Sequence, residues 1–135
     1  MTAERTVRDL VDRVWNGGHV DELGRFYAEQ FEHSGRPDTV AGLRRWHEAE
    51  AATWADPVYE VLTLVSDGEQ VALRWRATAR QVGPWGPTPP TGRTISWDGV
   101  HLFVVRAGRI VAVWAMSDMF TKAVQLGVTM IPPEA

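Results

Sequence analysis

The chain has 135 residues, a net charge of -3 and no cysteine. That suits one domain over 1–135, excludes disulfides and zinc–thiolate centres, and offers no basic surface for nucleic acid. The opening residues carry charges every few positions, and no apolar run approaches the ~18 residues of a membrane helix, so a cytoplasmic protein with no membrane partner is expected.

Val7, Leu10, Val11, Val14 and Trp15 fall at i, i+3, i+4, i+7 and i+8, one apolar stripe of a first helix that Gly17-Gly18 ends. A short second helix follows, with Val20, Leu23, Phe26 and Tyr27 inward. Gln30 to His33 reads as a brief strand and Ser34-Gly35-Arg36-Pro37 as a turn. A third helix runs from about Thr39 to Trp54 and stops at Asp56-Pro57. On it Val40, Leu43, His47, Glu50 and Trp54 recur at 3-4-3-4 spacing, with Ala51 beside them. Two ionisable side chains thus lie on the stripe that faces inward.

The remainder is strand-like. Val58 to Val65 forms a strand, Ser66-Asp67-Gly68-Glu69 a hairpin turn, and Val71, Leu73, Trp75, Ala77 and Ala79 then alternate with polar residues. Gly83 to Arg93 holds four prolines and three glycines and reads as a long rigid loop. Thr94 to Val105 and Arg109 to Asp118 make a second hairpin about Ala107-Gly108. A helix from Phe120 to Leu126 ends at Gly127, and the Pro132-Pro133 tail is expected to be loose. Helices first and antiparallel strands after predict an α+β fold with the helices on one face of the sheet.

The second hairpin places the chemistry. With Val105 opposite Ile110, one face carries Trp97, His101, Phe103, Ile110, Trp114, Met116 and Asp118. A carboxylate among indoles loses hydration, so Asp118 is expected to have a raised pKa and to exchange protons near neutrality, unless it simply caps the following helix. His101 shares the aromatic face, either as a working residue or as a hydrogen-bonded core histidine. The opposite face, with Val100, Leu102, Val104, Val111 and Val113, is also apolar and predicts a homodimer. No metal-ligand spacing, nucleophile elbow or nucleotide fingerprint is present, so neither a metal nor an organic cofactor is expected. Seven tryptophans in so short a chain exceed what a core asks for and suit a cavity for a small hydrophobic ligand.

Several segments together carry a resemblance: Trp15-Asn16-Gly17-Gly18-His19-Val20-Asp21-Glu22-Leu23, Phe31-Glu32-His33, Trp54-Ala55-Asp56-Pro57, Pro89-Pro90-Thr91-Gly92-Arg93, the hairpin Phe103 to Trp114, and Asp118 followed by Gln125-Leu126-Gly127-Val128. From about Val7 to Val128 the chain resembles the SnoaL-like polyketide cyclases of the nuclear transport factor 2-like superfamily. The resemblance implies a cone made of a strongly curved antiparallel sheet wrapped by N-terminal helices around an internal pocket. It implies a cofactor-free intramolecular aldol closure of a polyketide, with Asp118 as acid/base and His101 and His33 near it. In that setting Trp46, Trp54, Trp75 and Phe103 stack on flat rings, and Trp97 or Trp114 offers an N–H. Trp85 tips a lid, and His47, Glu50 and Met116 complete the substrate-binding set. Ala112 and Val113 stand where family members often carry acidic residues. Isomerisation, epoxide opening, oxygenase chemistry and plain binding of an aromatic metabolite are alternatives on the same fold.

Overall fold

The computed structural model describes residues 2–129. Helix α1 (Ala3–Leu10) starts at Thr2, whose hydroxyl accepts from the Arg5 N–H, and runs on into a π-helical turn, Val11–Asn16. A 3₁₀ turn (Val20–Glu22) leads into the short α2 (Leu23–Phe26), strand β1 (Tyr27–His33) and strand β2 (Arg36–Thr39). Thr39 caps α3 (Val40–Thr53) through a hydrogen bond from the Gly42 N–H. Four long strands follow, β3 (Trp54–Asp67), β4 (Gln70–Gln81), β5 (Thr94–Arg106) and β6 (Arg109–Ser117), then α4 (Met119–Gln125).

The six strands form one unclosed sheet in the order β2-β1-β6-β5-β4-β3. Every pairing is antiparallel except β1 with β6, which is parallel. Register breaks bend it: in β3 between Ala55 and Val58, where Asp56 adopts φ +52°, and again between Val61 and Thr63. Such breaks add a residue to one strand and deepen the local twist. The concave face carries Val71, Leu73, Trp75, Ala77 and Ala79 from β4 with Ile95, Trp97, Phe103 and Val105 from β5, all buried. Val7, Leu10, Val11, Val14 and Trp15 close over them, so the stripe expected of the first helix is the one that packs. The helix is not uniform, however: its last turn widens to π geometry, a form found mostly at functional sites. The Pro132-Pro133 tail lies outside the described residues.

One expected register is wrong, with consequences for the site. Val105 does oppose Ile110, but β6 then carries an extra residue, so Phe103 faces Val113, His101 faces Ala115 and Gly99 faces Ser117. A one-residue shift exchanges the two faces of a strand. Val113 and Ala115 therefore point inward, while Trp114 and Met116 pair with Leu102 and Val100 on the outer face and are exposed. Trp114 is not a cavity residue.

Candidate functional site

Between α3, the π-helical turn and the concave face lies a cavity of about 460 Å³. That volume falls in the ordinary range for small-molecule sites. From α3 come Leu43, His47, Glu50 and Ala51, all from the stripe expected to face inward. Trp54, Tyr59, Trp75, Trp97 and His101 line it from the sheet, and His33 from β1. Trp85 enters from the proline-rich loop, with Trp46 and the exposed Met116 at the rim.

The loop is held by one side chain. Gln81, fully buried, donates to the carbonyls of Gly83 and Pro89 and accepts from the Thr91 N–H and hydroxyl. Trp85 and Thr88 exchange two backbone hydrogen bonds, which makes the loop tip a tight turn. At the other side Asn16, at the end of the π turn, brackets the Tyr59 backbone, donating to its carbonyl and accepting from its N–H at 2.7 Å.

His101 stands at one end of the cavity. Trp75 Nε1–H donates to its Nδ1 at 2.9 Å, so the neutral ring carries its own proton on Nε2. Trp15 lies edge-on at 4.8 Å and Phe103 stacks on it at 5.4 Å. Burial, helped by His33 and His47, lowers its pKa to about 3, so it is neutral at physiological pH. Phe103 itself is sealed in the core and does not line the cavity; it orients His101 instead of stacking on a ligand. Burial also lowers His47, to about 4. His33 pairs through Nδ1 with Asp38 Oδ2 at 3.3 Å, which leaves Nε2 as its unpaired ring nitrogen.

Glu50 is the cavity carboxyl. Burial raises its pKa, while the charge of Lys122 pulls in the opposite direction. Burial, together with the charge of Glu50, pushes the Tyr59 phenol up to about 12. Glu50 is thus felt electrostatically by both Lys122 and Tyr59. Among the described residues it has no hydrogen-bond or ion-pair partner.

Asp118 is elsewhere. It is the N-cap of α4: Oδ1 accepts from the Thr121 N–H at 3.0 Å and Oδ2 from the Thr121 hydroxyl at 2.6 Å. The side chain is exposed and does not line the cavity, and those hydrogen bonds lower its pKa. The expected raised pKa and indole enclosure are not found, because the extra β6 residue and the cap turn the carboxylate outward.

Three participants were absent from the sequence reading: Asp38, Tyr59 and Lys122. Lys122 is only 5% exposed, and its ammonium sits 4.3 Å from the Trp97 ring, 4.8 Å from Trp54 and 5.4 Å from Trp85. Among the described residues no three His, Cys, Asp or Glu side chains converge as metal ligands, and no helix is long and apolar enough to cross a membrane.

The profile described as SnoaL-like polyketide cyclase matches residues 5–126. The chain belongs to the SnoaL-like polyketide cyclase family. Among solved structures this family member is similar to IdmH from Streptomyces antibioticus, with 26% identity, TM-score 0.85, and 95% of this chain and 100% of that one covered. It is also similar to a SnoaL-like polyketide cyclase from Agrobacterium tumefaciens str. C58, with 27% identity, TM-score 0.84, and 94% and 99% covered. AclR from Streptomyces galilaeus, described as a candidate hydroxylase, shares the fold at 22% identity and TM-score 0.80, with 93% and 95% covered. None of the curated proteins matches the chain. The family's curved, unclosed sheet with covering helices is the architecture described above.

Proposed function

We propose that this family member is a cofactor-free enzyme that closes a ring in a hydrophobic polyketide-like substrate, with Glu50 as the proton-transfer group. The observation that carries the reading is a carboxyl of raised pKa, unpaired among the described residues, inside an indole-walled cavity that also holds a neutral histidine. A carboxylate kept from water is a stronger base than one in solution, which suits removal of a proton beside a carbonyl.

Glu50 takes that proton, and the negative charge moves to the carbonyl oxygen. His101 Nε2–H donates to the oxygen, as a neutral imidazole can. The enolate carbon adds to a second carbonyl of the same molecule, one carbon–carbon bond forms, and the resulting alkoxide regains the proton from Glu50. No atom is gained or lost. The indoles of Trp54, Trp75 and Trp97 hold the flat substrate folded, and the anchored loop with Trp85 shields it from water. His33, oriented by Asp38, is a second proton carrier.

The proton step can be measured without knowing the natural substrate. Deuterium incorporation at the methyl group of 2-acetylnaphthalene in D₂O should be accelerated by the wild-type protein. Glu50→Gln should lose about 10²-fold or more of that acceleration while still quenching with the ketone. Ketone binding with no acceleration by the wild type would instead mark a non-catalytic binding protein.

The dimer belongs to the same reading. Val100, Leu102, Trp114 and Met116 form an apolar patch on the outer face of the sheet, bordered by the Arg74 and Arg76 ion pairs with Asp98. A second copy of the chain is the proposed cover.

A further inference from the structure

The Lys122 end of the cavity is rich in donors and poor in acceptors. Lys122 is nine-tenths buried and lines the cavity, yet its ammonium makes no hydrogen bond and no ion pair among the described residues. Beside it the Trp54 indole N–H is buried and has no acceptor either. Glu50, the one acid lining the cavity among the described residues, is felt by Lys122 but does not come within ion-pair distance of it. Three indole faces surround the ammonium at 4.3 to 5.4 Å. Burial lowers the Lys122 pKa, while the charge of Glu50 and the electron-rich ring faces favour the cation, and none of its three N–H donors is satisfied among the described residues. A buried charge without a hydrogen-bonded counterpart is costly, and a ligand that supplies the acceptor relieves the cost.

We propose that Lys122 is a ligand-anchoring residue for an acidic oxygen, so that the cavity prefers flat, conjugated ligands ending in a carboxylate or an acidic enol over neutral ones of the same shape. The anion lies against the Lys122 ammonium, and the adjoining rings stack on Trp54 and Trp97, whose centroids are 4.9 Å apart. Trp97 and His101 are four residues apart on β5, roughly 13 Å at ~3.3 Å per residue. A ligand anchored at Lys122 therefore reaches the His101 end only if it spans about two fused rings or more. This deepens the cyclase reading by naming the substrate class: one end of the molecule is acidic, and the reacting carbonyl lies a ring or two away.

The test is a binding comparison by tryptophan quenching and calorimetry, with 2-naphthoate and 2-naphthamide as probes. Wild type should prefer the carboxylate by about 10- to 100-fold, the worth of one charge-assisted hydrogen bond. Lys122→Met, which keeps the stem, should abolish or reverse the preference while still binding the amide. Lys122→Arg should retain it, and Glu50→Gln, which removes the opposing charge, should strengthen it. Equal affinity of wild type for both probes, or an unchanged preference in Lys122→Met, overturns the anchor and leaves the cavity and the Glu50 chemistry standing. Failure of wild type to bind either probe overturns both. A Lys122→Met protein that does not fold leaves the wild-type preference and the Lys122→Arg and Glu50→Gln responses to decide.

Discussion

Gly99 lacks a side chain because the Trp75 indole occupies the place where one would stand. A Cβ there would lie 2.1 to 2.6 Å from three atoms of that ring. The same indole donates to His101, so the glycine indirectly sets the tautomer of a cavity histidine. Gly99→Ala should displace Trp75, break that hydrogen bond and cost about 1–3 kcal/mol as overpacking, read as a lower denaturation midpoint. Unchanged stability together with an unchanged indole spectrum would show that the ring has room to move. At this scale the sequence was only partly legible. His101 and Trp75 could be placed on inward faces by alternation, but their hydrogen bond depends on the lean of one ring over a glycine, which no spacing encodes. Asp118 was the reverse case. Its position ahead of a short helix offered the cap as a competing role, and two hydrogen bonds to Thr121 decide for the cap.

The elements divide by how much of their environment is local. Helix α3 was legible because Val40, Leu43, His47 and Glu50 repeat at helical spacing, and the cavity receives Leu43, His47, Glu50 and Ala51 from it. Strand β6 was not, since its extra residue is set by pairing with β5 and β1 together, and it exchanges the expected roles of Trp114 and Val113. Helix α4 misleads in another way. Its apolar Phe120 and Val124 stand one turn apart, yet both are exposed, while Lys122, Ala123 and Leu126 are buried. Only the aromatic walls contributed by β3 and β5 make a lysine the inward residue there. The shift in β6 also builds the outer patch, and a dimer prediction follows from it. Wild type should sediment at about twice the 15.1 kDa chain mass, and Trp114→Glu as a monomer. A wild-type monomer would remove the second copy from the account.

Taken whole, the molecule keeps ionisable groups away from water around one cavity, and its stability should report this. Between pH 6.5 and about 3 the unfolded chain binds a proton at His101 that the folded chain refuses. His47 does the same between 6.5 and about 4. The unfolded state therefore gains protons as pH falls, and stability should drop through that window. Glu50, with its raised pKa, acts in the opposite sense above 4.5, one group against two. Denaturant midpoints should fall from pH 7 to pH 4, and less steeply in His101→Gln; a flat profile would place both imidazoles in contact with water. The fold itself was legible at this scale, because the order of helices and strands and the family segments point to the same cone, whereas the identity of the working acid was not. That identity rests on the one comparison that weighs the cavity against the strand end: deuterium exchange into 2-acetylnaphthalene by Glu50→Gln and Asp118→Asn side by side. Assignment of the role to Glu50 requires that Glu50→Gln lose about 10²-fold or more and that Asp118→Asn keep nearly the wild-type rate. Full activity in Glu50→Gln, with the loss in Asp118→Asn, would contradict it.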